Sequence, residues 1–264
     1  MDSVLFDLGF IQVRWYSFLI LISMIIGYFL VWKEVKKKDL SIDELNDLLF
    51  YLIIVSMLGA RVYYVLFNLK YYLADPKEIF MVWNGGLAIH GGIIAGLIFL
   101  IIYCKKKKLN LFLLTDIIVV PLILAQSIGR WGNFFNGEAF GRVVSLSFLK
   151  NMHLPNFIIN GMYIDGLYRE PTFLYESILS LIGFIVLIII RKKVKIKTST
   201  LTGIYLIWYG IERLIIESFR SDSLMLGPLK IAQIVSVIGI TFGVYLIVKS
   251  KNNKLYIKDK LIIK

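Results

Sequence analysis

Seven stretches of the chain carry almost nothing but apolar side chains for 18 to 22 residues at a time: 15–32, 48–69, 87–104, 109–128, 171–190, 198–219 and 231–248. About 20 such residues cover the hydrocarbon of a bilayer. Aliphatic residues surround each predicted helix, unlike the one-sided stripe of a helix on a soluble core. The sequence therefore reads as an all-α membrane protein with seven transmembrane helices, one polytopic domain over 1–264. The first stretch differs from a cleavable leader: its uncharged run from Trp15 to Trp32 is too long, and no small-residue cleavage site follows. Composition agrees, with 58% apolar and 18% charged residues against about 45–50% and about 25% in soluble domains. The net charge of +12 could suggest nucleic acid, but too little water-facing chain remains for such a domain. A single cysteine, Cys104, excludes a disulfide scaffold.

The basic residues set the orientation. Lys33, Lys36, Lys37 and Lys38, then Lys105 to Lys108, then Arg191, Lys192, Lys193, Lys195 and Lys197, and six lysines after 248 all fall on one side. That side holds 19 basic and 6 acidic residues; the segments 1–14, 70–86, 129–170 and 220–230 hold 9 and 8. Excess Lys and Arg marks the cytoplasmic face, so the N-terminus is expected outside and the C-terminus inside. The lysine clusters need no further role. The longest outer segment, 129–170, shifts to Gly, Asn and aromatic residues and reads as a mostly loop-like outer subdomain, with short strands around 143–148 and 157–164. No matched pair of interrupted helices of the transporter kind is visible.

Charges inside spans are costly and mark structural pairing or function. Tyr209, Arg213, Glu217 and Arg220 are spaced 4, 4 and 3 apart, which puts them on one helical face near the outer end. Two arginines to one carboxylate suit an anion site in which Glu217 orients an arginine, although a buried pair that orients helices is the plainer reading. Glu212 lies on another face and reads as structural. The third stretch opens W-N-G-G-L-A-I-H-G-G at 83–92, where four glycines expose the backbone around His90. A lone histidine is usually structural, but His90 and His153 are the only two in the chain, and an imidazole is suited to proton transfer.

The run G-R-W-G-N-F-F-N-G-E-A-F-G-R at 129–142 carries the most chemistry. A guanidinium fork matches phosphate oxygens, and Asn133 and Asn136 add neutral donors and acceptors. A structural re-entrant loop is the alternative. Asp116 and Glu176 are single acids near span ends that read as helix-orienting, and Arg61 in G-A-R-V-Y-Y fits a pairing role and a functional one equally well. Tyr16 reads as part of the interfacial aromatic belt. Cys104, beside four lysines, is on the wrong side to act with His90 and Arg130. No metal cluster and no phosphate-binding or nucleophile-elbow motif is present, so neither metal nor cofactor is expected. Arginines at headgroup depth, in segments able to converge with His90, suit an anionic phospholipid. With no nucleophile of its own, the chain reads as a lipid-headgroup transferase of the outer leaflet whose attacking group comes from a second substrate. The alternative is a non-enzymatic phospholipid transporter or scramblase, which requires a polar path to the inner leaflet; the inner halves of the spans are almost uncharged.

W-N-G-G-L-A-I-H-G-G, the 129–142 run, P-T-F-L-Y-E at 171–176 and Y-G-I-E-R-L-I-I-E-S-F-R at 209–220 resemble, in order and over essentially the whole chain, the prolipoprotein diacylglyceryl transferase family. The resemblance implies transfer of a diacylglyceryl group from phosphatidylglycerol to the lipobox cysteine of a preprolipoprotein signal peptide, forming a thioether and releasing glycerol 1-phosphate. It also implies the bacterial cytoplasmic membrane, with the site facing the outer leaflet. Carried over by motif, Arg130 and Arg213 would hold the phosphate and stabilise charge on the leaving group. Asn133, Asn136, Glu138 and Gly141 would shape the loop around the headgroup. His90 would either assist thiol deprotonation or organise the site; Tyr16, Tyr209, Glu217 and Arg220 are supporting candidates. The family often has His-Pro-Thr-Gln where this chain has Glu170-Pro171-Thr172-Phe173, so no role of a histidine or glutamine carries over there. Trp131 and Phe135 replace residues that are more usually aliphatic.

Overall fold

The computed structural model describes residues 3–7, 9, 12–38, 41–192, 196–221, 225–252, 256 and 260, with the backbone only at Asn84 and Leu226. Lys193, Lys195, Lys254, Lys258 and Lys264, which contribute to the orientation signal, lie outside the described residues. The chain is mostly helical. Its long helices are α1 (Trp15–Val35), α2 (Ile42–Phe67), α4 (Ile89–Lys107), α5 (Leu111–Asn136), α8 (Thr172–Lys192), α9 (Thr200–Phe219) and α10 (Ile231–Ser250). Short helices α3 (Leu69–Ala74), α6 (Leu146–Asn151) and α7 (Asn156–Gly161) lie between them. Three antiparallel hairpins, β1–β2 (Val4–Asp7, Gln12–Arg14), β3–β4 (Tyr163–Ile164, Leu167–Tyr168) and β5–β6 (Met225–Leu226, Leu229–Lys230), are the only sheets among the described residues, and none closes. At the turn of the first, the Gly9 N–H and the Gln12 amide donate to Asp7 and hold its carboxyl below the ordinary range.

Among the described residues, six helices are long and apolar enough to cross a membrane: α1, α2, α4, α5, α8 and α10. Helix α9 has the length but carries Glu212, Arg213 and Glu217. Helix α2 begins six residues before its predicted start, because Ser41 and Glu44 form a reciprocal capping box, with the Glu44 N–H donating to Ser41 Oγ at 3.0 Å.

Packing divides the chain into two compact units, one of Met1–Val31 with Thr115–Asp259, the other of Trp32–Leu114 with Lys260–Lys264. In the second, α2 and α4 meet along small residues, so that a Cβ on Gly59 or Gly91 would run into the facing helix. In the first, the segment 129–170 differs from the predicted loop. Helix α5 continues through Asn136; of the two predicted strand regions, 143–148 keeps a β-bridge at Val143 but enters α6 at Leu146, and 157–164 is α7 up to Gly161 with only Tyr163–Ile164 as strand. The reason is local chemistry that the apolar pattern hides. Ser145 caps α6 by accepting from the Phe148 N–H, and Pro155 precedes α7 with its fixed φ. Leu149, Ile158, Ile159 and Met162 then turn inward onto Phe134 and Phe173, giving this segment its own core.

Helix α9 begins against an acid on another helix. Asp116 of α5, 1% exposed, accepts from the backbone N–H groups of Ser199 at 2.7 Å and Thr202 at 2.8 Å, and from Thr202 Oγ1 at 2.6 Å. It thus satisfies donors that every helix start leaves over. Asp116→Ala strands the buried Ser199 N–H and the half-buried Thr202 N–H and is expected to cost about 2–4 kcal/mol. Thermal unfolding in detergent followed by circular dichroism checks this, at about 2–4 °C per kcal/mol; an unchanged midpoint would mean that packing alone holds the start of α9.

Candidate active site

Because α5 runs on to Asn136, Arg130 and Asn133 of the 129–142 run, the family's signature, share a helical face, and Arg130 Nη1 donates to Asn133 Oδ1 at 3.4 Å. Arg130 Nε lies 2.8 Å from Glu176 Oε2 on α8, an ion pair without hydrogen-bond alignment. The other oxygen of Glu176 accepts from Arg213 Nη1 on α9, and Arg213 Nη2 lies 2.7 Å from Glu217 Oε2. Four charges therefore alternate in a row across three helices: Arg130, Glu176, Arg213, Glu217. The two carboxylates are 1% and 2% exposed, whereas the arginine side chains keep 17% and 16%. Buried acids thus hold two guanidinium groups whose side chains stay partly exposed. Each guanidinium has five N–H donors, so pairing does not exhaust its capacity.

This arrangement changes the sequence reading at two points. The predicted face of Tyr209, Arg213, Glu217 and Arg220 loses its last member, because α9 ends at Phe219 and Arg220 turns into extended backbone paired with Gly141. The expected surplus of arginine over carboxylate there is also absent, since Glu176 supplies the second acid. Glu176 was legible as the only acid in an otherwise apolar helix, the condition that marks pairing or function. Lys230 gave no such signal. Its Nζ donates to the backbone carbonyls of Glu217 and Arg220, the latter at 3.1 Å, and so closes the C-terminus of α9.

Beyond Asn136 the signature becomes a tight loop. Asn136 Nδ2 donates to Glu138 Oε1 at 2.7 Å, and the Glu138 N–H returns to the Asn133 carbonyl. Gly141 then passes between two extended segments: its N–H donates to the Glu170 carbonyl at 2.9 Å, and its carbonyl accepts from Ser221 Oγ at 3.1 Å. A Cβ here would sit 2.9 Å from Glu170 Cβ and 3.0 Å from Thr172 Cγ2, so only glycine fits. Glu170 also takes Arg142 Nε at 3.0 Å and the Tyr175 hydroxyl at 3.3 Å, pinning the loop by side chain as well as backbone.

Aromatic residues support the same helix end. Tyr16 lies against Gly132, where a Cβ would come within 2.5 Å of its ring, and Trp15 stacks on Phe135 at 4.5 Å. Phe173 is fully buried between Trp131 at 5.4 Å and Phe134 at 4.6 Å. Trp131 and Phe173, two of the unusual residues of this chain, are thus partners in one cluster. Tyr209 stacks on Tyr205 at 6.0 Å, whose hydroxyl accepts from Gln126. Glu212, on its separate face, accepts from Ser180 Oγ at 2.8 Å.

His90 belongs to the other unit. It is exposed in the first turn of α4, its ring 6.4 Å from that of Tyr63, and the helix start is tied to α2 by the Ala88 N–H donating to the Ala60 carbonyl. No group of His, Cys, Asp and Glu among the described residues forms a metal-binding cluster.

If Glu176 is the common anchor of both arginines, Arg130→Ala and Glu176→Gln will not be additive. A double-mutant cycle on unfolding free energy is expected to give a coupling of about 1–3 kcal/mol. Additivity to within about 0.5 kcal/mol would mean that the ion pair is incidental.

A family model described as prolipoprotein diacylglyceryl transferase matches residues 3–249 of the chain. The chain is 48% identical over 248 residues to a phosphatidylglycerol–prolipoprotein diacylglyceryl transferase of Staphylococcus saprophyticus, covering 94% of this chain and 88% of that one. Similar proteins of the same description in Staphylococcus xylosus and Staphylococcus haemolyticus are 46% and 48% identical, over 94% of this chain and 88% and 87% of theirs.

Proposed function

The chain belongs to the prolipoprotein diacylglyceryl transferase family, and from that premise we propose the following reaction for it. It is a transferase of lipoprotein maturation that moves a diacylglyceryl group from phosphatidylglycerol to a prolipoprotein. The acceptor is the lipobox cysteine. Its sulfur attacks the glyceryl carbon next to the phosphate, a C–S thioether bond forms, the C–O bond breaks, and glycerol 1-phosphate leaves. The thiol proton passes to a base.

The observation that carries this reading is the pair of arginines held by one buried glutamate. A phosphodiester has one negative charge, and the departing phosphate monoester gains a second. Donors fixed in advance where that charge develops lower the barrier without reorganising. Glu176 and Glu217 fix Arg130 and Arg213 in this way, while Asn133 and the Gly141 loop bound the headgroup. His90 is assigned either the thiol proton or the ordering of the site.

We further propose that α9 is the seventh span, its charges tolerated because Arg213 is paired with Glu217 on its own helix and Glu176 on α8. The alternation of lysine-rich and balanced segments supports an outer N-terminus, an inner C-terminus and a site toward the outer leaflet of the bacterial cytoplasmic membrane.

Purified protein, phosphatidylglycerol and a lipobox peptide test the reaction through release of glycerol phosphate; release no greater than from heat-killed protein ends the proposal. Arg130→Lys and Arg213→Lys are each expected to lower turnover by about 100-fold or more, since an ammonium cannot reproduce the fork. Near-normal turnover in both removes them from the phosphate role. If His90 is the base, a His90→Gln variant is expected to lose about 100-fold or more in turnover; a variant that keeps the wild-type rate would exclude the role.

A further inference from the structure

Arg61 of α2 is a buried charged side chain to which the proposed reaction gives no role. It is 5% exposed, and among the described residues no carboxylate forms an ion pair with it. Its hydrogen bonds all go to backbone. Nε donates to the Ile79 carbonyl at 2.9 Å; Nη1 donates to the Gly85 carbonyl at 2.7 Å and the Gly86 carbonyl at 2.9 Å; Nη2 donates to the carbonyls of Glu78 and Met81. Five carbonyls therefore match the five donors of a guanidinium. The Tyr72 ring covers the group at 5.1 Å.

All five carbonyls belong to the segment that leads into α4. Short 3-10 helices at Pro76–Phe80 and Val82–Asn84 are followed by Gly85 and Gly86 at φ 90° and 75°, a reversal that few residues other than glycine allow. The chain then enters α4, with His90 in its first turn. On the far side of His90, Gly91 lies directly against Tyr63 and the Gly59 carbonyl of α2. His90 is thus held between two attachments to one helix: the Gly91 contact after it and the Arg61 clasp before it.

We propose that Arg61 is a positioning residue for the transfer reaction, setting the placement of His90 through the backbone of 78–86. This rests on the reading that His90 takes part in the reaction. A lysine offers three donors from a single nitrogen and cannot reach five carbonyls spread along this segment. A methyl at Gly86 would press on Arg61 Nη1 in a strained backbone position, disturbing the same clasp without touching the charge.

The test uses the full-length protein in mixed lipid–detergent micelles with phosphatidylglycerol and a lipobox peptide. A His153→Asn background leaves His90 as the only histidine for isotope-edited NMR. Arg61→Lys and Gly86→Ala are each expected to lower kcat at least about 10-fold with KM for the peptide within about two-fold, and to move the His90 resonance. Unchanged kcat in both variants overturns the proposal. So does a loss of kcat with the His90 resonance unmoved, which assigns the loss to general folding. A moved resonance with unchanged kcat overturns it too, and a His90→Gln variant of wild-type kcat would then place the error in the reading of His90.

Discussion

The first unit is arranged around one carboxylate in a place where charge is expensive. Glu176 is buried within an apolar helix and is balanced by guanidinium groups from two other helices. Each partner depends on the others: the acid is tolerable only with the arginines beside it, and the arginines keep fixed directions only because the acid and Glu217 hold them. A purely apolar contact between α5, α8 and α9 would bury no acid and would hold no guanidinium at a partly exposed position. The same ion pairs that balance the buried charges also fix the directions of both guanidinium groups.

The surrounding structure keeps that row of charges in place. The aromatic cluster of Trp131, Phe134 and Phe173 steadies the end of α5 that bears Arg130. The Gly141 strand joins the signature loop to Glu170 on one side and Arg220 on the other, and therefore to the segments before α8 and after α9. In the second unit the logic is similar but uses backbone carbonyls in place of acids, with Arg61 gathering the segment ahead of His90.

Much of this was legible in the residues. Continuous apolar runs give the long helices directly, because a lipid-facing helix needs no amphipathic pattern to be recognised. Tyr209, Arg213 and Glu217 were readable as polar groups on one face of an apolar stretch, Arg130 and Asn133 as polar members of the 129–142 run, and Gly141 only through the family resemblance. What stayed hidden depends on contacts between distant residues. Glu176 reads alone as a helix-orienting acid, and only tertiary structure shows that it serves both arginines. Arg220 fits the helical spacing, yet a backbone partner draws it out of the helix. The helices within 146–161 were missed because a serine cap and a preceding proline outweigh a pattern that hydropathy reads as strand. Lys230 bonds to carbonyls, which every residue possesses and no sequence advertises.

Helix α9 is completed at both ends by residues that other segments supply, Asp116 at its start and Lys230 at its close. As the chain is synthesised, the first of these is already in place when α9 emerges, and the second is made only afterwards. Until then the carbonyls of Glu217 and Arg220 lack their cation. The order of synthesis therefore implies an order of maturation: the early helices can settle as they arrive, whereas the arm that presents Arg213 acquires its final closure only after the hairpin beyond it has left the ribosome.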